Sequence, residues 1–201
     1  MTKTSIDTKE QILNVAEKLF AENGFTGTSL RSVISEAGVN LSAVHYHFGS
    51  KEGLIVALYE YMTSQLIDRQ TEMFFDPETS LSHKWNTSCD FLETDFNSGY
   101  VRVLQELIAV GWSNDVIGDT VRRSLTQWRD LHIELARQAV QRFGSLGPFE
   151  PEDIAALVAS AFIGAEALIL LGYEEMGVPI RRGLRRFGQI LEQLEEKTRE
   201  A

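Results

Sequence analysis

Two histidines stand one residue apart in AGVNLSAVHYHFGSKEGL (residues 37–54), flanked by Tyr46 and Phe48 and followed by Gly-Ser-Lys-Glu. Residues of these types can hold a metal ion, run acid–base chemistry or read nucleic acid. Helical geometry discriminates among the three. On a helix His45 and His47 point about 200° apart, so they cannot chelate one ion there. A strand would allow it, but the surrounding signals are helical. Acid–base work requires a pocket and a partner carboxylate, and neither is indicated nearby. No nucleophile–base pair, G-x-x-x-x-G-K phosphate loop or metal-ligand spacing occurs elsewhere, so no enzyme, metal site or cofactor is expected. The histidines are expected to be hydrogen-bonding surface groups.

The elements that must position them read as helices throughout. Asp7 or Thr8 can cap a first helix, with Glu10 or Gln11 completing a capping box. Ile12, Val15, Ala16, Leu19 and Phe20 follow at helical spacing, and Asn23-Gly24 supplies a stop. Thr28 or Ser29 caps a second helix with a Leu30, Val33, Ile34, Ala37 stripe, ended by Gly38. A third helix begins near Asn40 and runs to Phe48, and Ser50 caps a long fourth one. Pro77 breaks the chain within 74–80. Further helices are expected at about 80–97, 100–112, 115–143, 151–174 and 180–198. No period-2 strand or Asn-Gly hairpin appears, so the expected fold is all-α.

Two short helices joined by a tight Gly-containing turn and propped by a preceding helix form a helix-turn-helix, whose second helix enters the major groove. On residues 40–48, Val44 and Phe48 face the core, while Ser42, His45 and Tyr46 share another face. Ser42 and Ala43 are small enough for close approach to base edges, and Ala43 can touch a thymine methyl. Tyr46, His47, the Thr28 hydroxyl and the N-terminus of helix two can donate to phosphates, and Lys51 supplies a positive charge at that level.

Residues 8–54 resemble the DNA-binding domain of the TetR family of bacterial transcriptional regulators. The matching features are EKLFAENGF (17–25), T-S-L-R (28–31), AGV (37–39), YHF (46–48) and SKE-x-L (50–54), in order and at the right spacing. The resemblance implies a helix-turn-helix domain over 1–54, with the motif at about 29–48, and a larger helical ligand-binding and dimerisation domain over 55–201. It implies a DNA-contacting set of Thr28, Ser29, Arg31, Asn40, Leu41, Ser42, Ala43, His45, Tyr46, His47 and Lys51. The family commonly has Ser at position 40, Gly or Ala at 42 and Tyr at 45. Asn40, Ser42 and His45 depart from that pattern.

Downstream, IAALVASAFIGAEALILLG (154–172) is apolar almost all round, with Ala156, Ser160 and Gly164 at four-residue intervals. Such a helix must be covered on more than one face. The last segment carries a stripe that includes Leu184, Phe187 and Leu191. Because the family pairs its last two helices with their symmetry mates, these six positions are the expected homodimer interface. A two-fold dimer sets its reading helices about 34 Å apart on a palindromic operator. Trp85, Cys89, Trp112, Trp128, His132 and Phe162 are candidates for a largely apolar effector pocket. Glu166 is a candidate for an effector hydrogen bond or an arginine across the interface. R-R-x-x-R-R (181–186) is expected to be a solvated face balanced by EEKTRE.

Composition sets outer bounds. Of 201 residues, 43% are hydrophobic and 24% charged, ordinary values for a globular protein. The first residues lack an apolar leader-like tract, no uninterrupted apolar run of membrane-spanning length is present, and Cys89 is a lone cysteine; a cytoplasmic protein without membrane partners is expected. The net charge of −10 opposes nucleic acid, yet residues 1–52 account for only −1 of it. The expectation is a dimeric repressor of the TetR type, released from its operator by a small-molecule effector. The alternative is a TetR-fold protein-interaction module that no longer reads DNA, an idea fed by the weak basicity of residues 1–52 and the altered 40–45 segment.

Overall fold

The structure, a computed structural model, describes residues 3–200, with side chains from Thr8 onward. Among these residues every regular element is helical: α1 (Lys3–Gly27), α2 (Leu30–Ala37), α3 (Leu41–Phe48), α4 (Lys51–Phe74), α5 (Leu81–Asn97), α6 (Tyr100–Gly111), α7 (Asp115–Phe143), α8 (Pro151–Leu170), a 3-10 turn (Tyr173–Met176) and α9 (Ile180–Glu200). The boundaries follow the punctuation read from the sequence, Gly24 interrupting α1 with a positive φ (72°) where the stop was expected although helical turns resume to Gly27, with two corrections. Helix α1 is already formed at Lys3, so Thr8 lies inside it rather than at its N-terminus; the Asp7 side chain is outside the described residues. Helix α8 stops at Leu170 because Gly172 turns left-handed (φ 70°, ψ 21°), and only a 3-10 turn follows.

The chain forms two compact units, Met1–Gln65 with Asp95–Ser124, and Leu66–Thr94 with Leu125–Ala201. In the first, Ile12, Ala16 and Phe20 of α1 join Val33 and Ala37 of α2 and Val44 and Phe48 of α3 in a buried core. Tyr59 of α4 stacks on Tyr100 of α6 at 5.9 Å within the same unit. The α3–α4 junction is tight: a Cβ added at Gly53 would lie 1.9 Å from the Phe48 carbonyl oxygen, so a side chain there displaces backbone.

In the second unit α9 is fastened to α5 in antiparallel order. Glu195, 2% exposed, accepts the Leu81 N–H at 2.8 Å and the Ser82 hydroxyl at 2.6 Å. A carboxylate thereby caps the N-terminus of α5, where the helix dipole favours negative charge. Farther along, the Trp85 indole donates to the Leu184 carbonyl at 2.7 Å. Arg185 pairs with Asp90 at 2.6 Å and Arg181 with Glu93 at 2.7 Å. Two of the four arginines in 181–186 are therefore held by α5 acids rather than balanced by the terminal EEKTRE.

Candidate nucleic-acid interface and ligand cavity

The α2–turn–α3 segment is defined at each corner by a side chain suited to it. Ser29 takes an extended backbone (φ −108°, ψ 153°) and accepts the Ser32 N–H at 3.1 Å, while the Ser32 hydroxyl oxygen accepts the Ser29 N–H at 3.1 Å. Gly38 closes α2 left-handed (φ 62°, ψ 29°), a conformation that costs glycine nothing sterically. Asn40 caps α3, its Oδ1 accepting the Ala43 N–H at 2.8 Å. Val44 and Phe48 anchor the helix inward.

The opposite face is open. Leu41, Ser42, His45 and Tyr46 are exposed, Tyr46 to 74%, and Ala43 and His47 are half-buried. Arg31 is exposed on α2. His45 is less free than its exposure suggests, since Nδ1 lies 2.6 Å from the Gly49 carbonyl oxygen. A carbonyl only accepts, so Nδ1 must carry hydrogen, and in the neutral ring Nε2 is left as an acceptor. Tyr46 meets His47 edge-on at 4.9 Å.

Two residues expected at this surface turn inward. Thr28 is 2% exposed and its hydroxyl donates to the Leu19 carbonyl at 3.0 Å, so its side chain does not reach the outer face. Lys51 donates to the Phe25 carbonyl at 2.6 Å and lies 4.4 Å from the centre of the Phe25 ring. Its charge is fixed at the end of α1 rather than extended outward. The Glu106 carboxylate accepts the N–H of the same residue, Phe25, and Arg102 donates to the Ala21 and Glu22 carbonyls at 3.3 and 3.0 Å. These bonds satisfy carbonyls and an N–H that the end of α1 leaves without helical partners. The i, i+4 spacing of Arg102 and Glu106 reads as an ordinary surface pair, and nothing in it reveals their engagement with α1.

In the second unit a cavity of about 600 Å³ opens among α5, α7, α8 and α9, lined almost wholly by apolar side chains. Trp85, His132 and Phe162 stand on its wall, as do Leu184, Phe187 and Leu191. Trp128 supports it from behind, 4.1 Å from the His132 ring, with its indole donating to Gln70 at 2.8 Å. Ala136, Ala139 and Phe143 also line it, continuing from His132 at helical spacing, a stripe that could have identified this face of α7. Burial pushes the His132 imidazole down to about 4, against a smaller opposing effect of its bond to the Trp128 carbonyl. It is therefore neutral near pH 7. Cys89 is buried, and burial pushes its thiol up to about 11, which keeps it protonated and unreactive. Glu166 is buried and does not line the cavity. Trp112 belongs to the first unit and is 83% exposed, because it follows α6 in a turn instead of facing a core.

Helices α8 and α9 also carry an uncovered apolar face. Leu157, Leu168, Phe187, Ile190 and Leu194 are exposed, as are Ala156 and Ser160, with Gly164 half-buried. By length and composition α8 is apolar enough to cross a membrane; a helix that awaits a protein partner meets the same description. No cluster of three or more metal-ligating side chains occurs among the described residues.

A capped helix-turn-helix in an all-α chain is an arrangement that DNA-binding proteins use to place a helix in the major groove. Residues 12–58 match the family model described as bacterial regulatory proteins, tetR family. The transcriptional regulator YerO of Bacillus subtilis is 40% identical over 53 residues, 26% of this chain and 18% of that protein. The transcriptional repressor NicS of Pseudomonas putida is 31% identical over 77 residues, 37% and 36% of the two chains. The chain thus spans well under two thirds of the length of these relatives. LmrA of Bacillus subtilis, also named a transcriptional regulator, is 28% identical over 140 residues, 66% and 72% of the two chains. Among solved structures, a TetR-family regulator from Agrobacterium tumefaciens superposes with a TM-score of 0.76 at 15% identity, covering 94% of this chain and 98% of that one. Reduced NemR of Escherichia coli gives 0.73 at 19% identity, covering 90% and 95%. Residues 12–58 are thus similar to the DNA-binding region of the TetR family, the fold of the chain is that of the TetR-family structure, and none of these relatives bears an enzyme's name.

Proposed function

We propose that this protein is a dimeric, ligand-responsive transcriptional regulator that represses by binding a palindromic operator. Residues 1–54 form the reading head and 55–201 the effector-binding and dimerisation part. The observation that carries the reading is α3 itself. It is capped by Asn40, anchored by Val44 and Phe48, and presents Ser42, His45 and Tyr46 outward on one face. That is the arrangement a helix needs to enter a major groove without loosening its own core. With Thr28 and Lys51 turned inward, Arg31, Tyr46, His47 and the N-termini of α2 and α3 are left to meet phosphate.

The apolar face of α8 and α9 supports pairing with a second copy, which would place two heads on one side of the duplex. The cavity supports an apolar effector. Effector binding that favours a second conformation of the dimer would change head spacing, and about 2.7 kcal/mol of differential binding relieves repression a hundredfold.

Selection from random duplex DNA at moderate salt tests the reading. Enrichment of a palindrome with half-sites about one helical turn apart, or modestly more, is the expected result. Failure to enrich any sequence would remove operator reading and favour a protein-interaction module.

A further inference from the structure

The cavity in the second unit has a hydrogen-bonding character that its apolar lining conceals. Three polar side chains reach its wall: Trp85, Ser88 and His132. The Trp85 indole N–H is engaged with the Leu184 carbonyl at 2.7 Å and is not available. The Ser88 hydroxyl donates to the Lys84 carbonyl at 2.9 Å, which leaves its oxygen lone pairs. His132 Nδ1 lies 2.9 Å from the Trp128 carbonyl oxygen and must be the donor, because a carbonyl only accepts. Its Nε2 is then a lone-pair acceptor, and no protein group among the described residues donates to it. The ring is held between Trp128 at 4.1 Å and Phe74 at 5.3 Å, so it cannot turn away. His132 is only 5% exposed and lines the cavity, so the cavity is the side from which a donor can reach Nε2.

No lysine, arginine, aspartate or glutamate lines this cavity. An anion entering it would lose its water without gaining a cation, and burying an unpaired carboxylate is strongly unfavourable. An organic cation would likewise find no carboxylate. What remains is a neutral molecule with an apolar body that brings hydrogen to Nε2. A volume of about 600 Å³ lies within the range of small-molecule sites.

We infer that this cavity selects uncharged apolar ligands bearing a hydrogen-bond donor of the hydroxyl type, an alcohol or phenol, with His132 Nε2 as the acceptor that fixes their orientation and Ser88 as a second acceptor. The inference rests on reading the cavity as the effector site. It predicts discrimination by chemistry rather than by size, since a hydroxyl compound and its methyl ether have nearly the same apolar surface. Only the first satisfies Nε2; the second leaves it desolvated and unpaired.

The test uses three probes of similar shape on the full chain at pH 7: para-hexylphenol, para-hexylanisole and para-hexylbenzoate. Binding is followed by calorimetry and by quenching of tryptophan fluorescence, Trp85 being on the wall. The phenol should bind about tenfold or more tighter than the anisole, and the benzoate should not bind detectably. In His132→Phe protein the phenol should lose that advantage while the anisole keeps its affinity. Equal binding of phenol and anisole to the native chain would overturn the inference without needing any variant to fold, as would tightest binding by the benzoate. A phenol advantage that persists undiminished in folded His132→Phe protein would also overturn it. If none of the three binds, the effector-site reading falls and this inference with it. Selective phenol binding that leaves operator affinity unchanged would support the inference and count against the regulatory reading alone.

Discussion

The Glu106 carboxylate of α6 accepts the backbone N–H of Phe25, whose carbonyl in turn accepts from Lys51 of α4. One peptide at the end of α1 is thus gripped from both sides by two later helices. Replacing Glu106 by Ala leaves that N–H unpaired and Arg102 without its carboxylate. Because the pair is partly exposed, the loss should be modest, about 1–2 kcal/mol, read as a lower urea midpoint with an unchanged slope. An unaltered midpoint would mean that the grip is not stabilising.

Tyr46 is the most exposed aromatic side chain of α3, so its removal should leave the fold alone. Tyr46→Phe should melt like the native chain yet bind the selected operator about tenfold more weakly, the scale of one lost hydrogen bond. Fluorescence anisotropy at fixed salt measures it. Unchanged affinity would remove the hydroxyl from the interface.

Glycine to alanine inside a helix normally stabilises. At Gly53 the sign should reverse, since the added Cβ meets the Phe48 carbonyl oxygen at 1.9 Å. Gly53→Ala should cost about 1–3 kcal/mol in chemical denaturation, the range for overpacking. Operator binding should weaken too, because the same junction holds the end of α3. A more stable Gly53→Ala protein would mean that the junction relaxes freely.

His132 gives stability a pH dependence with a definite sign. Its folded value of about 4 lies below the ordinary 6.5, so the unfolded chain binds the extra proton between these limits. The stabilisation is present above 6.5 and is lost as pH falls toward 4. Between pH 7 and pH 5 the loss should be about 2 kcal/mol. Native and His132→Phe proteins, compared by urea unfolding at the two pH values, should differ by that amount in their pH sensitivity. Parallel curves would contradict the neutral, buried imidazole.

For the uncovered face of α8 and α9, a charge at its centre is the direct probe. Phe187→Glu and Ile190→Asp should shift the sedimenting species from a dimer toward the 22.6 kDa chain. A native protein that sediments as a monomer would dispose of the proposed interface.

Helix boundaries and the inward residues Val44 and Phe48 were legible in the sequence because they depend on local spacing and capping chemistry. The directions of Thr28 and Lys51 were not. Both look like phosphate ligands by type and position, but each has an acceptor supplied by α1, nine and twenty-six residues earlier. Glu195 reads as one more terminal acid, and only the packing of α9 on α5 brings it to the N-terminus of Leu81–Asn97, more than a hundred residues back. Trp112 fails for the converse reason. Its type suggests a pocket, and a turn after α6 sends it outward. Pairings between distant segments leave no periodic trace.

The bond from His45 Nδ1 to the Gly49 carbonyl fixes more than a ring orientation. On the proposed reading, it also selects which kind of base edge the other ring nitrogen would address. A neutral His45 offers a lone pair, which suits the amino groups of adenine or cytosine in the major groove. A single main-chain contact at the end of the helix would thus narrow the choice of letter at that position of the proposed operator.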